Sequence, residues 1–177
     1  MDFCQHAAME DLYVAHAAAV RGYALRRTDA AAVDDVCAEV WLTAWRRIDA
    51  VPADALPWLF GVARRVLANE RRGRQRRGDL NARLRRVVGV QHAPPPSIPS
   101  DRGLARALAT LRPADREALL LVAWEELSPE RAAAALGVRP GAFAVRLHRA
   151  RKRLAAAMQD QEEDNPGLRP STMETTR

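Results

Sequence analysis

The sequence predicts an all-α protein made of two small helical domains joined by a proline-rich linker, the second domain ending in a helix-turn-helix. Three observations predict this fold class. Apolar residues recur at helical spacing along most of the chain, aromatic residues make up only 5% of it, and the prolines and glycines lie mostly between the periodic segments. We expect domains at residues 1–86 and 102–158, a linker at 87–101 and a polar, disordered tail at 159–177.

The formal net charge of +6 is unevenly distributed. Residues 1–50 carry five arginines and eight acidic residues, a net charge of −3, whereas residues 64–86 carry ten arginines and two acidic residues, a net charge of +8. This distribution predicts a polyanionic partner for the middle of the chain rather than for its beginning.

Cysteine usage and hydropathy favour a cytoplasmic protein. Cys4 and Cys37 match neither a disulfide framework nor a metal-ligand spacing, and Cys37 falls on an apolar helical stripe. We therefore expect no metal and no cofactor. Neither a signal peptide nor a long apolar run is recognisable, so no membrane insertion is expected.

Two amphipathic helices are predicted before residue 50. The first runs from about Met9 to Arg27, and Asp29 is positioned to cap the second. The apolar face of the second comprises Val33, Val36, Cys37, Val40, Ala44 and Ile48, while Asp34, Asp35 and Glu39 fall on a solvated face. Trp41, Leu42 and Trp45 widen the apolar surface. They indicate either a broader core contact or a docking surface for another protein.

A third helix follows residues 49–57, where two prolines interrupt the helical pattern. It begins at Trp58 and has one apolar side. The other side carries Arg64, Arg65, Asn69, Arg72 and Arg76. Guanidinium groups neutralise phosphates and aromatic rings stack on unpaired bases, so this side predicts contact with nucleic acid. Trp58 and Phe60 fit either the core or base stacking, and for Trp58 the core is favoured.

The second domain begins after Pro94, Pro95 and Pro96, which favour an extended spacer. A short helix through Leu108 is expected to end at Pro113, and another spans residues 114–126. Beyond them the segment 126–157 predicts a helix-turn-helix. Ser128 is a good N-cap with proline following it, Gly137 suits a left-handed helix end, and a basic helix starts at Pro140. Such a pair presents its second helix to a major groove.

Three stretches carry a resemblance to a known family: DAAAVDDVCAEVWLTAWRRI, PWLFGVARRVLANERRGRQRR, and LRPADREALLLVAWEELSPERAAAALGVRPGAFAVRLHRARKRL. They cover most of residues 10–157 and resemble the extracytoplasmic-function subgroup of bacterial RNA polymerase sigma factors. The third stretch is the most specific of them. The resemblance implies a protein that binds core RNA polymerase and directs promoter-specific initiation.

The resemblance also implies a division of labour. Residues 34–47 look like the helix that docks on the polymerase, with Asp35, Glu39, Trp41, Leu42 and Trp45 as its contacts. Residues 49–77 look like the part that melts and reads the minus-ten element, and residues 140–153 like the reader of the minus-thirty-five element. Core RNA polymerase, promoter DNA and an anti-sigma factor are the implied partners, with no small-molecule substrate.

The recognition helix departs from the family pattern. Where the family usually has Ser-x-Gly-Thr-Val-Lys-Ser-Arg, this chain has Arg-Pro-Gly-Ala-Phe-Ala-Val-Arg at residues 139–146. Base readout is therefore expected from Arg139 and Arg146, with Ala142 against a thymine methyl group. Arg149, Arg151 and Lys152 are expected to bind phosphates. The loop 49–57 is also shorter than in many members, which bears on whether it forms a pocket for a flipped base.

Two other functional classes fit the sequence less well. A helix-turn-helix regulator that is not a polymerase subunit would need only residues 104–158, but its first domain should then contain a ligand pocket with convergent polar groups, and none is recognisable in residues 10–77. An enzyme is not expected, because the sequence shows no phosphate-binding loop, nucleophile elbow, catalytic triad or apolar carboxylate pair.

Overall fold

The computed structural model describes the backbone of residues 3–84 and 102–164 and the side chains of residues 5–76 and 103–160. Within these ranges it contains only helices and turns, which confirms the all-α prediction. The helices are α1 (Phe3–Leu25), α2 (Ala30–Arg46), a short 3-10 turn (Ile48–Ala50), α3 (Ala55–Leu84), α4 (Arg102–Thr110), α5 (Pro113–Ala123), α6 (Pro129–Leu136) and α7 (Pro140–Asp164). The predicted linker 87–101 lies outside the described residues.

Helices α1 to α3 form the N-terminal unit. The expected stripe of α2 is buried at Val33, Val36, Val40 and Ala44. Asp29 is the N-cap residue, but its carboxylate caps nothing and instead accepts a hydrogen bond from Arg74 Nη1 at 3.0 Å. Helix α1 begins at Phe3 rather than near Met9. Helix α3 begins before Trp58 because proline is tolerated in a first turn, which lacks the hydrogen bond that proline cannot make.

Helices α4 to α7 form the C-terminal unit, and its helix-turn-helix follows the prediction. Ser128 Oγ accepts a hydrogen bond from Arg131 N at 3.3 Å, and Gly137 takes the left-handed conformation with φ 66°. Two structural details differ from expectation. Pro113 starts α5 instead of ending α4, and α7 continues to Asp164, so residues 159–164 are helical where a disordered tail was expected.

The two units pack directly on each other, a feature the sequence did not predict. Their buried apolar residues form one continuous cluster, in which Tyr23 of α1 stacks on Phe60 of α3 with the ring centroids 4.7 Å apart. Phe60 is therefore core. Helix α3 crosses α6 so closely that a Cβ atom on Gly61 would lie 3.0 Å from the carbonyl oxygen of Ala135. Glycine at this position permits the crossing.

We expect Gly61→Ala to lower the free energy of unfolding by about 1–3 kcal/mol, because the added methyl group meets backbone that cannot move aside easily. The matched control is Gly141→Ala in α7, where a Cβ atom would meet nothing within 4 Å. Alanine there should be neutral or slightly stabilising. Urea unfolding of both variants checks this. Equal stability of the two variants would contradict the close crossing.

Candidate nucleic-acid interface

A buried arginine joins the two units. Arg27, at the end of α1, is only 6% exposed. Its Nε donates to Glu117 Oε2 at 3.0 Å and its Nη1 donates to Glu125 Oε1 at 2.7 Å. Arg26 forms a further ion pair with Glu125. These contacts connect α1 to α5 and to the turn that follows it.

Tyr23 completes this buried cluster. Its hydroxyl donates to Glu117 Oε1 at 2.7 Å, and the Arg27 guanidinium lies 3.5 Å from its ring centroid. Burial raises the pKa of Tyr23 well above its ordinary value, so the phenol stays protonated and remains a donor. Burial works to lower the pKa of Arg27, but its interactions with Tyr23, Glu117 and Glu125 outweigh this and raise that pKa. Arg27 is therefore a cation at any ordinary pH.

A second ion pair links the units at the surface. Arg131 of α6 donates two hydrogen bonds to the carboxylate of Asp54, from Nε to Oδ2 at 2.8 Å and from Nη2 to Oδ1 at 2.6 Å. The hydrogen bond from Arg131 holds the pKa of Asp54 below its ordinary value of 3.8. Both side chains are about half exposed, so the pair contributes little compared with the buried cluster.

The polar residues of α3 divide between two faces. Arg65 and Asn69 line a groove of about 660 Å³ between α2 and α3, together with Glu39 and Trp58. Arg65 is held there by a hydrogen bond from its Nε to the carbonyl oxygen of Gly61 at 3.1 Å. The groove therefore combines a half-buried indole with guanidinium, amide and carboxylate groups.

Arg72 and Arg76 lie further along the same face of α3, beyond this groove. Both are exposed, and Arg72 donates to the side-chain oxygen of Asn69. The structure thus brings four of the five predicted nucleic-acid residues of α3 to one surface. Trp58, for which the core was favoured, is only half-buried and lies at this groove.

Arg64 lies on a different face of α3, toward the C-terminal unit. It lines a cavity of about 330 Å³ between the units with Arg27, Arg71 and Arg146. The sequence predicted Arg64 and Arg146 as contacts of two different DNA elements. In the structure they share one cavity.

The recognition helix α7 buries Phe143, Leu147 and Ala150 against its own unit. The spacing of Arg139, Ala142, Arg146 and Arg149 places them on one face, since residues three and four apart are neighbours on a helix. Arg139, Ala142, Arg149, Arg151 and Lys152 are exposed, whereas Arg146 is half-buried. Of these four residues, Arg146 is the one that lines the cavity shared with the N-terminal unit.

The predicted docking residues of α2 divide by exposure. Asp35, Glu39 and Leu42 are exposed, and Leu42 is 41% exposed. Trp41 and Trp45 are half-buried, with ring centroids 4.9 Å from those of Tyr13 and His6 of α1 respectively. The tryptophans therefore pack on α1 while part of their surface stays exposed. Neither a core contact alone nor a docking surface alone describes them.

Sequence reasoning missed the residues that join the units. From the sequence, Arg27 is only the last residue of the first predicted helix, and Arg71 is one of ten arginines in residues 64–86. Helical periodicity identifies such residues as polar but cannot reveal a partner about ninety positions away. No helix among the described residues has the length and apolar character needed to cross a membrane.

Models of known protein families match both halves of the chain. The family model for sigma-70 region 2 matches residues 12–77, and the model for sigma-70 region 4 matches residues 101–154. Among curated proteins, the chain is 34% identical over 168 residues to the ECF RNA polymerase sigma factor SigL of Mycobacterium tuberculosis, covering 87% of this chain and 90% of that protein. It is 33% identical to the RNA polymerase sigma factor CnrH of Cupriavidus metallidurans, over 82% of this chain and 81% of that one.

Two solved structures are similar to the fold. One is the sigma factor RpoE of Bartonella quintana in complex with the anti-sigma factor NepR, with TM-score 0.62, 24% identity and coverage of 85% of this chain and 96% of that chain. The other is CnrH in complex with the cytosolic domain of CnrY, with TM-score 0.59, 26% identity and coverage of 86% and 88%. The first supports the fold alone.

We expect the Asp54 pair to make stability depend on pH. Because the folded-state pKa of Asp54 is lowered, the pair stabilises the fold above the ordinary value of 3.8 and loses this effect as the pH falls through the folded-state pKa. Asp54→Asn should therefore lower the free energy of unfolding by less than about 1 kcal/mol near neutral pH, and by still less in acid. Asp35→Asn, at an exposed carboxylate, is the control. Urea titrations between about pH 7 and 3 measure this, and a pH-independent difference would contradict it.

Proposed function

This chain belongs to the extracytoplasmic-function group of sigma-70 RNA polymerase sigma factors, and from that premise we propose which of its surfaces performs each step. It binds core RNA polymerase and directs promoter-specific transcription initiation. The observation that carries this conclusion is the order of region 2 and region 4 along one chain, supported by a relative that matches over 87% of it. A stand-alone helix-turn-helix regulator is not favoured, because the N-terminal unit then has no role.

The α2–α3 groove is the proposed site for the minus-ten element. Its volume of about 660 Å³ is sufficient for a base, and it offers the half-buried ring of Trp58 beside the polar groups of Arg65 and Asn69. Aromatic rings stack on any unpaired base, and arginines beyond the groove can follow the phosphates. Arg72 and Arg76 occupy that position. Opened promoter DNA fits this combination better than duplex DNA.

The exposed face of α7 is the proposed reader of the minus-thirty-five element. Arg139 and Arg146 can each donate two hydrogen bonds to a guanine in the major groove, and Ala142 offers an apolar contact to a thymine methyl group. Arg149, Arg151 and Lys152 are proposed to bind phosphates, which position the helix but carry no sequence information. Arg64 is proposed as a further phosphate contact from the N-terminal unit.

The exposed side of α2 is the proposed polymerase surface. Asp35, Glu39 and Leu42 are available on it, and the outer parts of Trp41 and Trp45 add apolar area. Large aromatic residues that are already held in place lose little entropy on binding, which makes them effective anchors. Glu39 also lines the α2–α3 groove, so the proposed polymerase surface adjoins the proposed DNA groove.

Further parts of the proposal concern setting and control. We place the protein in the cytoplasm, where the polymerase and promoter DNA are found, and assign it no enzymatic activity. An anti-sigma factor is a further proposed partner, supported by the similarity to CnrH, whose structure was solved in complex with the cytosolic domain of CnrY. Run-off transcription with purified core polymerase on a library of promoter templates tests the whole function. Absence of any promoter-specific transcript would refute it.

We expect Leu42→Arg to weaken binding to core polymerase at least about tenfold, because a charge replaces an apolar contact at the proposed interface. The control is Val14→Arg on α1, which places the same charge at a residue that is 77% exposed and outside the proposed surface. Fluorescence anisotropy with labelled protein measures the affinity, and circular dichroism verifies folding. Unchanged affinity in folded Leu42→Arg, or equal loss in both variants, would remove this surface.

For the recognition helix we expect two arginines to behave differently. Arg146→Ala should cost about 1–3 kcal/mol at its preferred base pair and flatten the preference there, because a bidentate base contact is lost. Arg151→Ala should weaken binding to all sequences about equally, because a phosphate contact is lost. Binding selections on randomised upstream elements, with the sigma factor bound to polymerase, measure both. An Arg146 variant with the parent's preference would contradict the assignment.

A further inference from the structure

The cavity between the two units is lined by basic side chains from both of them. Arg27, Arg64 and Arg71 belong to the N-terminal unit and Arg146 to the C-terminal unit, with Glu117 as the acidic lining residue. Part of the wall is apolar and comprises Leu67, Ala68, Pro113, Ala114 and Leu136. The volume of about 330 Å³ is that of a small-molecule site.

The positive charges around this cavity are not balanced within the described residues. Arg27 is neutralised by its ion pairs with Glu117 and Glu125. Arg64, Arg71 and Arg146 form no ion pair with any carboxylate of the described part of the chain. Three arginines without a carboxylate partner thus converge at one cavity beside apolar walls, with Arg146 half-buried and Arg64 and Arg71 exposed.

Two further features of the surroundings agree with an excess of positive charge. Burial lowers the pKa of Arg116, and the nearby positive charge of Arg71 lowers it further. Arg27 also retains a donor without a partner, because its buried Nη2 makes no hydrogen bond within the described residues. Arg71 is held in place by a hydrogen bond from its Nη2 to the main-chain oxygen of Arg27 at 2.9 Å. The cavity is therefore a positively charged site with at least one fixed guanidinium.

We propose that this cavity binds a small phosphate-bearing anion, of the size of pyrophosphate or a nucleotide, through Arg64, Arg71 and Arg146. The guanidinium group matches phosphate because its planar fork donates two parallel hydrogen bonds to two oxygens. Two or more negative charges on one ligand offset the repulsion among three arginines. A free anion of this size fits the space of about 330 Å³.

Binding at this place stabilises the packed arrangement of the two units. The ligand contacts both units only while they are together, so it binds that arrangement in preference to any separated one. Arg64 and Arg146 are also the proposed DNA contacts, and the anion occupies them. Its binding does not depend on the transcription function, since it is measured without polymerase or promoter.

The test uses the full chain and isothermal titration with sodium pyrophosphate at constant ionic strength. We expect saturable binding that weakens at least about tenfold in Arg64→Gln and in Arg146→Gln, because each change removes a charge-assisted contact. Arg21→Gln on α1 and Arg106→Gln on α4 are the controls, since both residues are exposed, lie outside the cavity and have no proposed binding role. They should bind as the parent does.

Three results would overturn the proposal. The first is that neither pyrophosphate nor a nucleoside triphosphate binds saturably. The second is that the affinity for pyrophosphate falls equally in the cavity variants and in the control variants. The third is that it falls in neither cavity variant. Short single-stranded DNA is titrated in parallel to separate the sources of phosphate. If the cavity variants weaken DNA binding alone while pyrophosphate does not bind, the arginines serve DNA and the site for a free anion is refuted. Circular dichroism verifies that each variant is folded.

Discussion

The packing of the two units depends on the burial of Arg27. Removing a guanidinium from water costs several kcal/mol, and the native structure offsets this only if carboxylates and hydrogen bonds replace the solvent. Glu117 and Glu125 supply the carboxylates, and both come from the other unit. The end of α1 must therefore meet α5 and its following turn in one orientation. A shifted orientation leaves a buried charge without a partner, which is far more costly than losing an exposed ion pair.

Given that orientation, the close crossing of α3 and α6 determines which surfaces remain available. Gly61 lets the two helices approach until backbone meets backbone. The face of α3 that carries Arg64 is thereby turned toward the C-terminal unit, while the face that carries Arg65 stays on the open groove. Two arginines adjacent in sequence thus have different surroundings. With about 3.6 residues per turn, Arg64 and Arg65 point in different directions from the helix axis, so only one of them lies on the covered face.

Much of this architecture could be predicted from the sequence, because it depends on local chemistry. Ser128 and Gly137 cap α6 as expected, and the buried stripe of α2 follows from its apolar spacing. The predictions were less accurate where two local rules compete. Asp29 was expected to cap α2, but Arg74 offers its carboxylate a cationic partner. Pro113 can follow one helix or begin the next, and here it begins α5.

The arrangement between the units was beyond prediction for a different reason. Arg27 and Glu125 are far apart in the sequence, and each alone looks like an ordinary surface charge. Their pairing is a property of the folded surfaces, and one sequence carries no signal of it. The same holds for the shared cavity. The sequence predicts that Arg64 contacts nucleic acid and that Arg146 reads a base, but their convergence on one cavity depends on the α3–α6 crossing.

This convergence has a consequence for promoter binding. A recognition helix reads the major groove with one whole face, and on α7 that face includes Arg146. While Arg146 faces α3 across the cavity, it cannot also enter a groove, whereas Arg65, Asn69 and Arg72 remain accessible. On the proposed assignment of Arg146 to the upstream element, the two units must separate for this residue to reach a groove, and separation breaks the ion pairs of Arg27. A partner that favours the separated form must bind it more tightly than the packed form by at least the free energy that the packing of the two units contributes. The buried cluster thus sets the threshold that core polymerase and promoter DNA together must exceed.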